Sequence, residues 1–322
     1  MNSKARRHHY VPQCYLKAFS VSHKKVPQIC VFDRSNRTNF RTGIDNIASE
    51  RDFNRFEVEG LDPNAFESDM SSFETSLGEA LERIVQSKSL SDENDRAYLL
   101  NFICLLAIRN PRLRENMRGA MEQTARIAMD LVLQSKESYQ HHLKSVREAG
   151  SVLPEVDYER MKAFFESGAY RIEADRVSQI QREMQVFEQI LPLIFKRGWV
   201  LLRAPASSAG FITADHPVCL FWSDPKMRGG FHGPGLGLPG TELLFPISPR
   251  LALVGAFELS DGVRDIGPDH VAGFNGGLIA LAERQVYARD HNFTYAMQPG
   301  EAPRKASHLM SDDKFLRKKS GP

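Results

Sequence analysis

The period of the hydrophobic pattern changes along this chain of 322 residues, and that change limits its fold more than any other feature. From about 63 to 197 apolar residues recur at helical spacing; from 198 to 297 they come as short β-branched and aromatic runs between turn residues. A helix opens at Pro63-Asn64 and runs to about Ser87, with Phe66, Met70, Phe73, Leu77, Leu81 and Ile84 as its apolar stripe. Ser91, Asp92 and Glu93 start a second helix, because acids in the first turn suit the helix dipole. Its run Phe102-Ile103-Cys104-Leu105-Leu106 is the natural centre of a core, and Pro111 must kink or interrupt it. The pattern resumes from Leu113 toward Val146 and ends at Gly150, followed by helices at Asp157–Gly168 and Glu173–Lys196. Strands are expected at 199–202, 210–213, 218–221, 243–245 and 251–254, then a helix at 269–283 and a strand at 285–288. The glycine-rich stretch from Gly229 to Gly240 lacks the strand-then-helix setting of a dinucleotide site and reads as a loop.

Residues 1–62 carry a short helix with Pro12 at its first position, a hairpin with strands near 29–32 and 38–40, and an extended piece from Asp52 to Val58. Helices segregated from strands define an α+β class: a small N-terminal helix-hairpin segment, a central helical region and a C-terminal, mostly antiparallel sheet with one late helix. The expected organisation is one composite domain over 1–298, with regions 1–62, 63–197 and 198–298, and a disordered basic tail over 299–322.

Hydrophobic residues make up 42% and charged residues 25%, the balance of a folded globular chain. No apolar run is long enough for a membrane helix, and none follows the basic Met1–Arg7 segment as a secretory signal requires. A cytoplasmic setting is therefore expected, with Cys14, Cys30, Cys104 and Cys219 reduced; their spacing fits neither a zinc ribbon nor a redox pair. Charge is uneven. Residues 1–42 hold nine Lys or Arg against one acid, Asp33, a net +8, while residues 43–100 hold fourteen acids against five bases, a net −9. Either the two segments neutralise each other, or the basic one meets nucleic acid or a nucleotide.

His8 and His9 stand just before the first helix, where imidazoles can bind a metal, transfer protons or contact an anion, or merely cap the helix. Glu67 and Glu74, seven apart, fall on nearly one helix face beside the apolar stripe. They suit a divalent metal together with imidazoles, or a solvated acidic face. Asp215 sits between a strand end and Pro217, as a presented side chain or a turn former. Arg109, in an apolar helix, needs a partner and is either a structural ion pair or an anion clamp.

The segment His8-His9-Tyr10-Val11-Pro12-Gln13-x-Tyr15-Leu16-x-x-Phe19 resembles the opening signature of a bacterial family catalogued as domain of unknown function 4238. Glu67, Glu74, Arg109-Asn110-Pro111, the block Phe211–Val218, Phe245-Pro246-Ile247-Ser248-Pro249 and Asn275 are similar to further landmarks of that family. Where the family carries Thr-Ser-Asp-Asn-Pro, this chain has Thr213-Ala214-Asp215-His216-Pro217 and keeps the aspartate. The resemblance implies a site without naming a reaction. Two other matches fail: Arg114 stands where a HEPN-type RNase motif needs histidine, and no Asn-then-His helix of a His-Asn-His nuclease follows His8-His9.

Two functional expectations follow. The first is a metal-dependent hydrolase of phosphoesters, nuclease-like, with His8, His9, Glu67, Glu74 and Asp215 as ligands of a divalent metal of unknown identity. In it His8, His9, Asp215 and Arg109 are the catalytic set. The alternative is a non-enzymatic effector that binds nucleic acid, a nucleotide or a protein, for instance in stress or phage defence. There the His-His-Tyr segment is a structural plug.

Overall fold

The computed structural model describes residues 7–21, 26–51, 65–109, 111–151, 156–170, 172, 176–227, 230 and 232–316. In chain order the elements begin with β1 (Arg7–His9), α1 (Gln13–Leu16), β2 (Gln28–Asp33), β3 (Thr38–Gly43) and β4 (Ser49–Arg51). Helices follow: α2 (Ala65–Ser87), α3 (Glu93–Ile108), α4 (Pro111–Val132), α5 (Lys136–Glu148), α6 (Tyr158–Glu166) and α7 (Arg176–Phe195). Next come β5 (Gly198–Arg203), β6 (Thr213–Ala214), β7 (Cys219–Trp222), β8 (Thr241–Ser248), β9 (Leu251–Ala256) and β10 (Gly262–Asp265). The chain continues through α8 (Pro268–Leu281), β11 (Gln285–Ala288), β12 (Thr294–Tyr295), β13 (Arg304–Lys305) and α9 (Asp313–Leu316). The fold is α+β, with the helices in the middle of the chain and antiparallel-rich sheet toward its end.

Two compact units divide the chain: Met1–Asn110 with Glu183–Pro322, and Pro111–Arg182. In the larger unit one sheet has the order β10-β5-β9-β8-β7, antiparallel except for the parallel pair β10–β5. A second, wholly antiparallel sheet has the order β3-β2-β11-β6. Alternation along the inner strands feeds two cores. Ile29, Val31, Trp199 and Leu201 join Tyr15, Leu77 and Phe102 of α1, α2 and α3 in one. Cys30, Phe32, Val200 and Leu202 join Val271, Leu278 and Phe315 of α8 and α9 in the other. Strands buried on both faces read as unbroken apolar runs, which is why Ile29-Cys30-Val31-Phe32 shows no alternation. Pro246 interrupts the β8–β9 ladder at a bulge, where its missing N–H costs least. The loop before β8 is anchored by the buried Arg197, which donates to the Leu236 and Thr241 carbonyls at 2.7 and 2.8 Å.

The smaller unit is helical. Ser135 accepts from the Ser138 N–H and starts α5, which splits into α4 and α5 the single helix that the pattern from Leu113 to Val146 predicts. Asp157 caps α6, the Tyr139 hydroxyl donates to the Val156 carbonyl, and the Tyr158 hydroxyl donates to the Leu133 carbonyl.

Pro111 ends the preceding helix as expected and occupies the first position of α4. Two expectations are corrected. Pro12 precedes α1 as its cap rather than standing inside it, and α1 has four residues. The expected disordered tail from 299 carries β13, a 3-10 turn at Ala306–Ser311 and α9. Leu309 and Phe315 are apolar anchors there, and buried Asp312 accepts from the Tyr295 hydroxyl and from Arg304. Residues 317–322 and the extended piece predicted at Asp52–Val58 lie outside the described residues. Among the described residues no helix is long and apolar enough to cross a membrane.

Candidate functional site

The signature opens on a strand, not on a helix start. β1 pairs antiparallel with β4, setting His8 opposite Glu50 and His9 opposite Ser49. Neighbouring residues of a strand point to opposite faces. His8 is accordingly buried, whereas His9 is half-buried and its Nε2 lies 2.9 Å from the Gln13 Nε2. α1 starts only at Gln13, which His9 reaches, while His8 points to the other face of the strand, so the two rings diverge. The strand ends where the Tyr10 and Val11 N–H groups both reach the Ala48 carbonyl, Ala48 itself being held at φ 48°.

Past the strand the signature turns inward. The Tyr15 hydroxyl, wholly buried, donates to the Pro246 carbonyl at 2.8 Å and so accepts from Thr213 Oγ1 at 2.7 Å. Its ring stacks on Phe245 with centroids 5.3 Å apart. Three separate sequence blocks thus meet at one tyrosine. Asn275 performs a similar junction: its Oδ1 accepts from the Ile212 N–H, and its Nδ2 donates to the Gly210 and Thr294 carbonyls.

Asp215 is buried at the end of β6. Its carboxylate accepts the N–H groups of Glu283, Arg284 and Gln285 at 2.9, 2.7 and 2.8 Å, holding the turn that leads from α8 into β11. Burial nevertheless pushes its carboxyl up to about 6, the backbone donors opposing the shift. Tyr10 and Tyr287 lie close by and hydrogen-bond to each other. Both phenols are raised above their usual range, first by burial, with the Asp215 charge adding to the effect. Asp33 completes the polar core. Burial works to raise it, but donors from Arg284, Gln285 and the Asn36 N–H outweigh that, and its carboxyl is lowered. Arg34 lies under the same turn, donating to the Ile279 and Ala282 carbonyls at the end of α8 and stacking over Phe315.

The remaining candidates lie on α2 and at the end of α3. Glu74 is half-buried and lines an open hollow on α2 with Cys14, Ser71, Glu79 and Glu82. Burial, with Glu74 adding, pushes the Cys14 thiol up to about 12, so it is protonated at neutral pH and a poor nucleophile. Arg109 is buried at the end of α3, its Nη1 3.3 Å from Met70 Sδ. The Glu67 side chain lies outside the described residues. Among the described residues no group of three or more His, Cys, Asp or Glu side chains converges as a metal-ligand set. Sequence reasoning singled out Asp215 and Tyr10 but passed over Arg284, Tyr287 and Asp33. The one available signal was the polar run Glu283-Arg284-Gln285 between an apolar helix and an apolar strand.

Fold and site together define an α+β protein whose signature blocks, remote in sequence, close on a shared polar core. The chain belongs to the DUF4238 family, described as proteins of unknown function, whose family model matches residues 7–292. Neither the comparison with curated proteins nor that with solved structures gives a match.

Proposed function

We propose that this protein is a non-enzymatic, cytoplasmic effector that binds a phosphate-bearing ligand, nucleic acid or a nucleotide, and that its His-His-Tyr segment is a structural plug. The observation that carries this reading is the Asp215 carboxylate, whose oxygens are engaged by three backbone N–H groups. Tyr15 and Asn275 are likewise fully used inside the fold. Part of the N-terminal positive charge is also absorbed: Lys17 pairs with Glu82 at 3.0 Å and Arg34 caps α8. What is left over on the β2–β3 hairpin faces solvent, and cations there attract phosphate.

A second reading, a metal-dependent phosphoester hydrolase, draws support from one feature. A carboxyl titrating near 6 beside two phenols lies in the range useful for proton transfer. Metal analysis of the purified protein, followed by His8→Ala and Glu74→Ala, separates the two. The effector reading expects metal-free protein, a His8→Ala variant that loses thermal stability because it empties a buried site, and a Glu74→Ala variant that folds normally. Stoichiometric metal that both substitutions remove from a still-folded chain overturns it.

A further inference from the structure

We propose that a second copy of this chain docks antiparallel on α4 of the smaller unit, with Ile127 and Leu131 of both copies at the centre and two reciprocal Arg126–Asp130 ion pairs beside them. This pairing goes beyond the ligand-binding reading above and does not depend on it.

The smaller unit, Pro111–Arg182, is short of core. Among its described residues only Leu133, Tyr139 and Ile180 are buried, and none of these lies in α4 or α6. Small units bury little apolar surface for their size, and association supplies more. The same unit holds the three most exposed large hydrophobic side chains among the described residues: Leu131 at 56%, Ile127 at 53% and Phe164 at 51%. Ile127 and Leu131 are one helical turn apart, so they form one patch rather than two scattered exposures. At 3.6 residues per turn Ala120 falls on the same face, Thr124 and Ala128 border it on one side, and Arg126 and Asp130 border it on the other. All seven residues are exposed.

The order of the charges singles out a second copy as the occupant. Arg126 and Asp130 are also one turn apart, yet neither forms an ion pair among the described residues; Arg126 only stands over the Tyr170 ring at 5.7 Å. Arg118 on the same helix, by contrast, meets Glu115 and Glu122. A two-fold axis crossing α4 at the level of Ala128 sets Arg126 of each copy level with Asp130 of the other. The same axis gathers the four aliphatic side chains within about 10 Å of helix length. Antiparallel helices turn like-sided flanks toward each other, so the charged flanks meet. In a parallel pair the charged flank would face the uncharged Thr124 and Ala128 flank, and both ion pairs would be lost. Nucleic acid fits poorly here: the unit has twelve Lys or Arg against eleven Asp or Glu, a net +1, and a carboxylate borders the patch. A lipid surface calls for several cations around an apolar helix face, and only Arg126 borders this one.

The test is sedimentation velocity on the full-length protein across the micromolar range, where wild type is expected to form dimers. Ile127→Ser and Leu131→Ser each remove an apolar side chain from both copies at once and should weaken the dimer about a hundredfold. Arg126→Asp and Asp130→Arg, each alone, bring like charges together and should weaken it about tenfold. The double variant Arg126→Asp, Asp130→Arg exchanges the signs and should dimerise as wild type does. All four side chains are exposed, so circular dichroism should report an unchanged fold. A monomeric wild type overturns the proposal, and so does a dimer that Ile127→Ser and Leu131→Ser leave intact. A double variant as weak as the single ones contradicts the antiparallel pairing. A monomer that binds anionic vesicles through Leu131 would assign the face to lipid instead.

Discussion

Asp215 shows how a residue picked out for chemistry can serve a fold. Its three backbone donors make it the clasp between β6 and the turn into β11, yet burial keeps its carboxyl near 6, well above the ordinary 3.8. The sign of the resulting pH dependence follows from proton counting. Below about 3.8 folded and unfolded chains both hold this proton, and above about 6 neither does. Between those values the unfolded chain has released it and the folded chain has not, so rising pH favours unfolding. The loss through this group alone is about 3 kcal/mol. Chemical denaturation at several pH values should therefore show wild type losing stability relative to Asp215→Asn from pH 4 to 6, with the difference level on either side. A constant difference across that window would mean that the backbone donors, not burial, set the titration of this carboxyl. The sequence marked Asp215 by its position before Pro217 but could not show what met it, because its three donors lie about 70 residues away and belong to the backbone.

At the level of elements, most of the reading came from periodicity and capping, which are local. The Asp92 cap accepting from the Asp95 N–H, the Pro111 break and the β11 strand at Gln285–Ala288 all follow from neighbours in the chain. The short pieces were harder. His8 and His9 adopt a strand because β4, some forty residues on, offers a ladder, and no local signal announces a partner so distant. This matters for function, since the strand turns the two imidazoles apart where a helix start would have left both near its N-terminus. Sheet geometry also explains Gly255, which stands opposite Trp199 in the β5–β9 ladder. A Cβ there would lie 2.6 Å from the Trp199 ring, which is 1% exposed and cannot move aside. Gly255→Ala should cost about 1–3 kcal/mol by overpacking, read from the urea midpoint. An unchanged midpoint would show that the ring relaxes freely and that this contact does not fix the register.

Across the whole molecule, the pattern of periods predicted the α+β class and where helices give way to strands. It did not predict that residues 304–316 fold back, because Leu309-Met310 and Phe315-Leu316 are short apolar pairs in a polar stretch and their partners are supplied by the second core. The charge asymmetry of the N-terminal segment resolves only in part into internal pairs. Lys17 pairs with Glu82 at the surface and Arg34 with carbonyls inside the fold, while Arg37 and Arg41 stay exposed on the β2–β3 hairpin. The central claim is that the recognisable signature builds a scaffold and that the protein acts by binding. It is tested most directly by following labelled single-stranded RNA and DNA with the wild-type protein, with and without a divalent metal, recording anisotropy and strand length in the same samples. The account predicts a salt-sensitive rise in anisotropy while the strands remain intact under every condition. Metal-dependent shortening of the strands, abolished by His9→Ala or Asp215→Asn in folded protein, would contradict it.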